Sequence, residues 1–298
     1  MALSESNYAL EFLLSEAPGG LSRDEGVLLT GQSLVAGAVV GQITKAIAAA
    51  PIPAIVGTGT GLMSALSFGP DVQVGAYTIT LLATSATAAF SVTAPDGTVL
   101  PNGAVGTAYV SSHLSFSVAN GGTMTAGDAY TVTVTAGGTP VLVGTGTGVF
   151  SAFTLGPDAQ NGTYRVQLLA TSATAELEVT TPSGHKLKQG AVATAYTSSH
   201  VNFTLANGGT MTAGDYGNIV VAKGSGKFVA VTPTTYDGRH IAAGVIANTC
   251  DATSADQDTV VIARNAEVSS ARLGWGTLTT GQQATATAQL AARGILVR

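Results

Sequence analysis

Gly57-Thr58-Gly59-Thr60-Gly61 returns as Gly144-Thr145-Gly146-Thr147-Gly148, and the 87-residue offset between them organises the whole chain. The same offset carries Gly69-Pro70-Asp71 onto Gly156-Pro157-Asp158, Leu81–Ala88 onto Leu168–Ala175, and Ser111-Ser112-His113 onto Ser198-Ser199-His200. Ala119–Asp128 maps onto Ala206–Asp215, and 46 of the 72 positions from 57 to 128 are identical without a gap. That is a tandem duplication. Two copies are too few, and each is too long, for a solenoid, so each is expected to be a small domain.

Each copy reads as all-β. Tyr77–Leu82, Ala89–Thr93, Leu114–Val118 and Tyr130–Val134 alternate with period two and are rich in Val, Thr, Tyr and Phe, the pattern of half-buried strands. Pro95-Asp96-Gly97 and Asn120-Gly121-Gly122 lie between these runs and supply turn chemistry. Short strands at this spacing suggest a β-sandwich. Immunoglobulin-like topology is one option, with no Cys–Trp–Cys core to demand it.

Composition narrows the function classes. Of 298 residues only 10% are charged, Lys+Arg is 12 against 17 Asp+Glu, and the net charge is −5. So few basic residues argue against a nucleic-acid surface, which needs clustered cations to displace counterions. Hydrophobic residues make up 45%, which excludes a disordered chain. One cysteine, Cys250, excludes an intrachain disulfide framework and a Cys-rich zinc site. The apolar stretches around Leu34–Val40 and Ala46–Val56 are broken by Gly, Lys or Pro and fall short of the roughly 18 residues of a membrane span. Met1–Leu14 carries Glu5 and Glu11 and has no basic segment leading into a long apolar core, so no secretory signal is expected.

The flanks differ in character from the repeats. From about Gly217 the second repeat leaves its template, and Gly224-Ser225-Gly226-Lys227-Phe228 has no counterpart in the first. Thr279 or Thr280 can cap a helix over about Gly281–Arg293, which Gly294 would close. The expected organisation is an arm at 1–20, a core in two parts at 21–55 and 218–298, and β-sandwich repeats at 56–142 and 143–217. An insert of this kind enters at a loop, with its ends close in space.

Several features imitate chemistry. Gly57–Gly61 and Gly144–Gly148 look like phosphate loops, but neither Lys-Ser/Thr nor a helical pattern follows. Lys223-Gly224-Ser225-Gly226-Lys227 resembles the end of a Walker A motif, yet Val221 stands where the first glycine is needed and Phe228 replaces the hydroxyl residue. His113 and His200 read as turn histidines, and His185 and His240 lack ligand-spaced partners. Asp71, Asp158, Asp128 and Asp215 lie in turns without neighbouring carboxylates, which favours capping over Ca²⁺. Ser33 lacks the nucleophile-elbow glycine, and Cys250 reads as a packed thiol. No catalytic, cofactor or metal residues are expected, and the chain is not expected to be an enzyme.

The flanks carry a resemblance. Phe12–Glu16, Leu21–Glu25, Thr30-Gly31 and Ala36–Gly41 are followed, beyond the repeats, by Gly226–Ala230, Asp237-Gly238, Val245-Ile246, Asp251–Thr253 and Arg264–Val268. The chain ends with Leu273–Gly276 and Leu290–Arg298. This ordered set resembles the head decoration proteins of tailed phages, of the lambda decoration protein type. The two repeats depart from the short members, as does Asp24, where the family more often shows Arg-Glu directly after the serine. The resemblance implies a small α/β-type core that trimerises on threefold positions of an expanded capsid. There it would cement the shell against DNA pressure, on the outer surface of a virion assembled in the host cytoplasm. The implied partners are the major capsid protein and two further copies of the chain, with no direct contact to nucleic acid or membrane. A second reading makes the repeats a binding module for host surface glycans. Of the exposed aromatics usual for glycan binding the repeats offer only Tyr77/Tyr164 and Tyr109/Tyr196 with a few Phe, mostly in alternating strands.

Two sites are expected at residue level. Tyr8, Leu10, Phe12 and Leu14 alternate with Ala9, Glu11 and Leu13. An extended arm would then present one apolar face, free to swing about Pro18-Gly19-Gly20 and to add to a sheet edge of the capsid. Trp275, the only tryptophan, is either a core anchor or a subunit-interface residue.

Overall fold

A computed structural model describes residues 8–49, 55–136, 139–140 and 142–298. It is mainly β, 46% strand against 7% helix, and divides into two compact units. One holds the flanks, up to Thr44 and from Gly224; the other runs from Lys45 to Lys223.

In the flank unit, Arg23–Leu28, Phe228–Ala230, Val39–Gln42, Ala242–Ile246 and Gln257–Ile262 close into a five-stranded barrel. Adjacent residues on these strands serve two cores, as strand alternation requires. Leu28, Val40, Ala243, Ile246 and Val261 pack with Phe228 and Cys250. Val39, Ala242, Val245 and Ile262 face the other way and pack with Phe12, Val268, Leu278, Leu290 and Ile295. The second core is closed by a three-stranded sheet, in the order Leu13–Glu16, Ala266–Val268, Ile295–Val297, and by a single α-helix, Thr280–Ala292. The helix begins where the sequence predicts. Thr279 accepts from the Gln282 backbone N–H while the Gln282 side chain accepts from that of Thr279, so the capping box offsets two orphan donors. Gly294, at φ 77°, follows its end.

In the repeat unit, each copy folds as two facing sheets. In the first, Val99–Ala104, Ala89–Thr93, Gly75–Leu81 and Ala129–Ala136 form one sheet; Ala108–Val110, Leu114–Ala119 and Leu62–Phe68 form the other. Phe90 from the first sheet stacks on Phe116 from the second at 5.6 Å. The second copy repeats both sheets; there Phe150 and Phe203, on paired strands of one sheet, lie 5.7 Å apart. Its core is repacked: Met63 and Tyr130 of the first copy become Phe150 and Gly217. A Cβ on Gly217 would lie 2.3 Å from the Phe150 ring, so the small residue is what admits the large one.

One strand joins the copies. Lys45–Ala49 pairs with Ala129–Ala136 of the first repeat and with Tyr216–Lys223 of the second, making one eleven-stranded sheet. The compact unit that holds the repeats thus runs from Lys45 to Lys223, against the 56–217 expected for them. Residues 45–49 read as core because their run of Ala and Ile is apolar, but their ladder partners belong to the repeats. No helix among the described residues is long and apolar enough to cross a membrane.

Candidate functional site

From Tyr8 onward the expected arm is folded back. The Leu10 N–H donates to the Ala247 carbonyl at 2.9 Å, and Leu13–Glu16 pairs with Ala266–Val268 around a bulge between Leu13 and Ser15. Phe12 is fully buried, with Leu10, Leu13 and Trp275 packed around the same core. Glu11 pairs with Arg272 at 2.8 Å and Glu16 with Arg23 at 2.6 Å. The Glu16 carboxyl is held below its usual range by that Arg23 hydrogen bond.

The predicted apolar face is thus split. Tyr8 and Leu14 are exposed, while Leu10 and Phe12 point into the core. The alternation fails because Leu10 takes φ 61° and the bulge shifts the register past Leu13. Residues 1–7 of the expected arm lie outside the described residues. Pro18–Gly20 forms a short 3₁₀ turn, and Ser22 accepts from the Ala17 N–H and donates to the Asn265 carbonyl, so the residues beyond it are tied down as well. Trp275 is half-buried against the same core.

What remains outward is a small apolar surface. Leu14 and Leu296 are exposed on the two opposite edge strands of the three-stranded sheet, and Tyr8 and Leu21 flank its first strand in sequence. Sequence reasoning missed Leu296, because Ile295–Val297 looks like one apolar run. Only the parallel pairing with Ala266–Val268 shows that its middle residue faces out.

The imitators of chemistry have structural work. Asp128 accepts from the Gly59 N–H at 2.6 Å and the Thr58 N–H at 3.2 Å, and Asp215 repeats this with Gly146 and Thr145 at 2.7 and 3.3 Å. The loop amides that would cradle a phosphate are occupied by a protein carboxylate. Lys227 pairs with Asp256 and Lys223 with Asp71, which disposes of both lysines in the Walker-like stretch. His113 and His200 lie 3.0 and 3.1 Å from the hydroxyls of Tyr77 and Tyr164. Cys250 is buried in the barrel core. Arg264 forms an ion pair with Asp24, giving the departing Asp24 a partner within the chain.

An open groove of about 580 Å³ runs beside the barrel strands, lined by Glu25, Val27, Asn248, Asp258 and Val260. Its two carboxylates come from paired strands; Thr259 is its one hydroxyl residue, and no histidine is among the residues that line it. Among the described residues no group of three or more His, Cys, Asp or Glu could hold a metal ion.

The family model described as bacteriophage lambda head decoration protein D matches residues 2–295, both flanks and both repeats. No curated protein and no solved structure matches the chain.

Proposed function

The chain belongs to the bacteriophage lambda head decoration protein D family, and from that membership we propose that it cements an expanded phage head from the outside. A head decoration protein is a structural component of the virion, in contact with the capsid and its major protein. The finer reading has three parts: the chain binds as a trimer at threefold positions, stabilises the shell against DNA pressure, and displays its repeats outward. The single observation that carries it is a family match that spans residues 2–295.

The exposed apolar surface supports an attachment at this edge. Tyr8 and Leu14 stand beside an edge strand, Leu13–Glu16, whose second ladder side has no strand on it among the described residues. Such an edge accepts a strand from a partner by backbone hydrogen bonding, and the flanking apolar side chains add burial. In this reading Leu10 and Phe12 anchor the segment while Tyr8 and Leu14 meet the shell. Trp275, half-buried beside them, is proposed at the edge of a subunit contact. Trimerisation would make three weak attachments act together through effective concentration.

The test is electron microscopy of expanded heads mixed with purified protein. Protrusions at threefold positions are expected. Isolated copies elsewhere, or bare heads, would refute the proposal.

A further inference from the structure

We propose that the same end of each repeat is a binding surface for a neutral carbohydrate polymer. Three loops meet there in the first copy: 57–61, 82–88 and 120–128. Thr58 and Thr125 hydroxyls bond at 3.1 Å, Thr60 accepts from the Thr123 N–H at 3.0 Å, and Thr84 accepts from the Ala126 N–H at 3.0 Å. The second copy makes the same bonds through Thr145–Thr212, Thr147–Thr210 and Thr171–Ala213.

Outside these loops the two copies have diverged at most exposed positions. All fifteen exposed residues of the three loops are identical between copies, whereas, among the residues whose exposure is described, eleven of the eighteen exposed elsewhere between 57 and 128 differ. At the opposite end Gly69-Pro70-Asp71 and Ser111-Ser112-His113 are retained, but Asp96-Gly97-Thr98 has become Ser183-Gly184-His185. The buried core has changed too, Phe90 to Leu177 and Met63 to Phe150. Exposed loops are ordinarily the first part of a fold to vary. The internal bonds explain why Thr60, Thr84 and Asp128 stay. They do not explain Leu82 and Leu169, exposed at 51% and 42%, or the exposed Ala83 and Ala86 beside them.

The chemistry of the surface selects the ligand. Its one ionisable side chain in each copy, Asp128 or Asp215, is buried and bonded to loop amides, so neither an anion nor a cation finds a charge to pair with. Threonine and serine hydroxyls with small apolar patches suit the hydroxyls and C–H faces of a sugar. With no aromatic platform, each contact is weak. Two identical weak surfaces on one chain gain most from a ligand that repeats, because the second contact is intramolecular. The inference uses the outward display of the repeats only to place this surface on the particle; binding itself is a property of the free chain.

The experiment applies full-length protein to an array of neutral and acidic polysaccharides, beside Leu82→Asp, Leu169→Asp and the double variant. Retention on one or more neutral polymers is expected, with none on monosaccharides. Each single variant should lower apparent affinity by about 10²-fold or more, and the double variant should abolish binding. Thr87→Arg with Thr174→Arg serves as a second double variant, and Val110→Asp with Thr197→Asp, away from the loops, should bind normally. No retention on any neutral polymer, preference for acidic ones, or equal binding by the loop variants would overturn the proposal. So would a loop variant that changes only the protein's oligomeric mass, which would make the surface a contact between copies.

Discussion

Lys45 and Lys223 face each other across an antiparallel strand pair, at the two points where the chain enters and leaves the repeat unit. One residue outward, within the flank unit, the Gly224 N–H donates to the Thr44 carbonyl at 2.9 Å. Two like charges opposite each other would repel, but Lys223 pairs with Asp71 and Lys45 donates to the Ala159 carbonyl.

Excision should therefore succeed at one pair of cuts and fail at another. Replacing 46–222 with a short Gly/Ser linker joins ends already side by side, at small loop-closure cost. Removing only 57–215 leaves Lys45–Ala49 and Tyr216–Lys223 attached, two apolar strands without the sheets that cover them, which invites aggregation. The first variant should be soluble, show a cooperative melt and bind expanded heads; the second should precipitate. An insoluble first variant would show that the flank unit depends on the insert.

The Gly-rich loops should fail with their carboxylate. Asp128→Ala leaves the Thr58 and Gly59 amides without their acceptor, a loss of about 1–3 kcal/mol, while Asp128→Asn keeps one oxygen and should lose less. Gly57→Ala should be at least as damaging, since its φ is 138° and a Cβ would lie 1.9 Å from the Asp128 Oδ1 atom. Calorimetry resolves the order. Equal melting of Asp128→Ala and the parent would show that water replaces the carboxylate.

The repeat strands and the C-terminal helix were legible because each depends on local pattern: period-two alternation at Ala89–Thr93, and a threonine cap at 279 or 280 with Gly294 as the stop. The strand Lys45–Ala49 was not, since its identity lies in two partners more than eighty residues away in sequence. Phe12 misled for a related reason. Alternation from Tyr8 to Leu14 describes a straight strand, and nothing local announces the positive φ at Leu10 that turns the segment. The loop surface was visible in the sequence as identity, but only exposure distinguishes retained surface from retained core.

The first repeat should loosen in mild acid. Gln73 N–H donates to the Tyr77 hydroxyl, leaving that hydroxyl's own proton to point at His113 Nδ1, 3.0 Å away. This bond needs a neutral imidazole. Burial, above all, pushes the His113 pKa below its ordinary 6.5, and it pushes Tyr77 up to about 12. Below about pH 6.5 the unfolded chain takes a proton that the folded chain resists, so stability is full above that pH and declines beneath it. Asp71 is held below its ordinary range by Ser112 and Lys223, and Asp96 near 2 by Gln73 and Thr98, so both stay ionised between pH 7 and 5.5. Melting of the repeat unit should fall across that interval, and fall less in His113→Asn. Parallel slopes would place the acid sensitivity elsewhere.

Anchor and contact in the N-terminal segment should separate cleanly by mutation. Phe12 has no exposed surface and sits among Val39, Ile262, Val268 and Leu290, so Phe12→Ala removes a ring the core cannot easily close over, at about 3–5 kcal/mol. Leu14 is 56% exposed and Tyr8 68%, so Leu14→Ser with Tyr8→Ser should change stability by no more than about 0.5 kcal/mol per site. Their effects on attachment should run the other way round. The exposed pair should weaken binding to expanded heads by about tenfold or more, since every 1.4 kcal/mol of lost burial is a factor of ten. Phe12→Ala, measured well below its melting temperature, should keep much of the affinity, because the edge strand stays paired with Ala266–Val268. Sedimentation of decorated heads against free protein reads both at once. If the Leu14/Tyr8 double variant binds at parental affinity, the shell contact lies away from this edge, and the exposed leucines of the three-stranded sheet need another explanation.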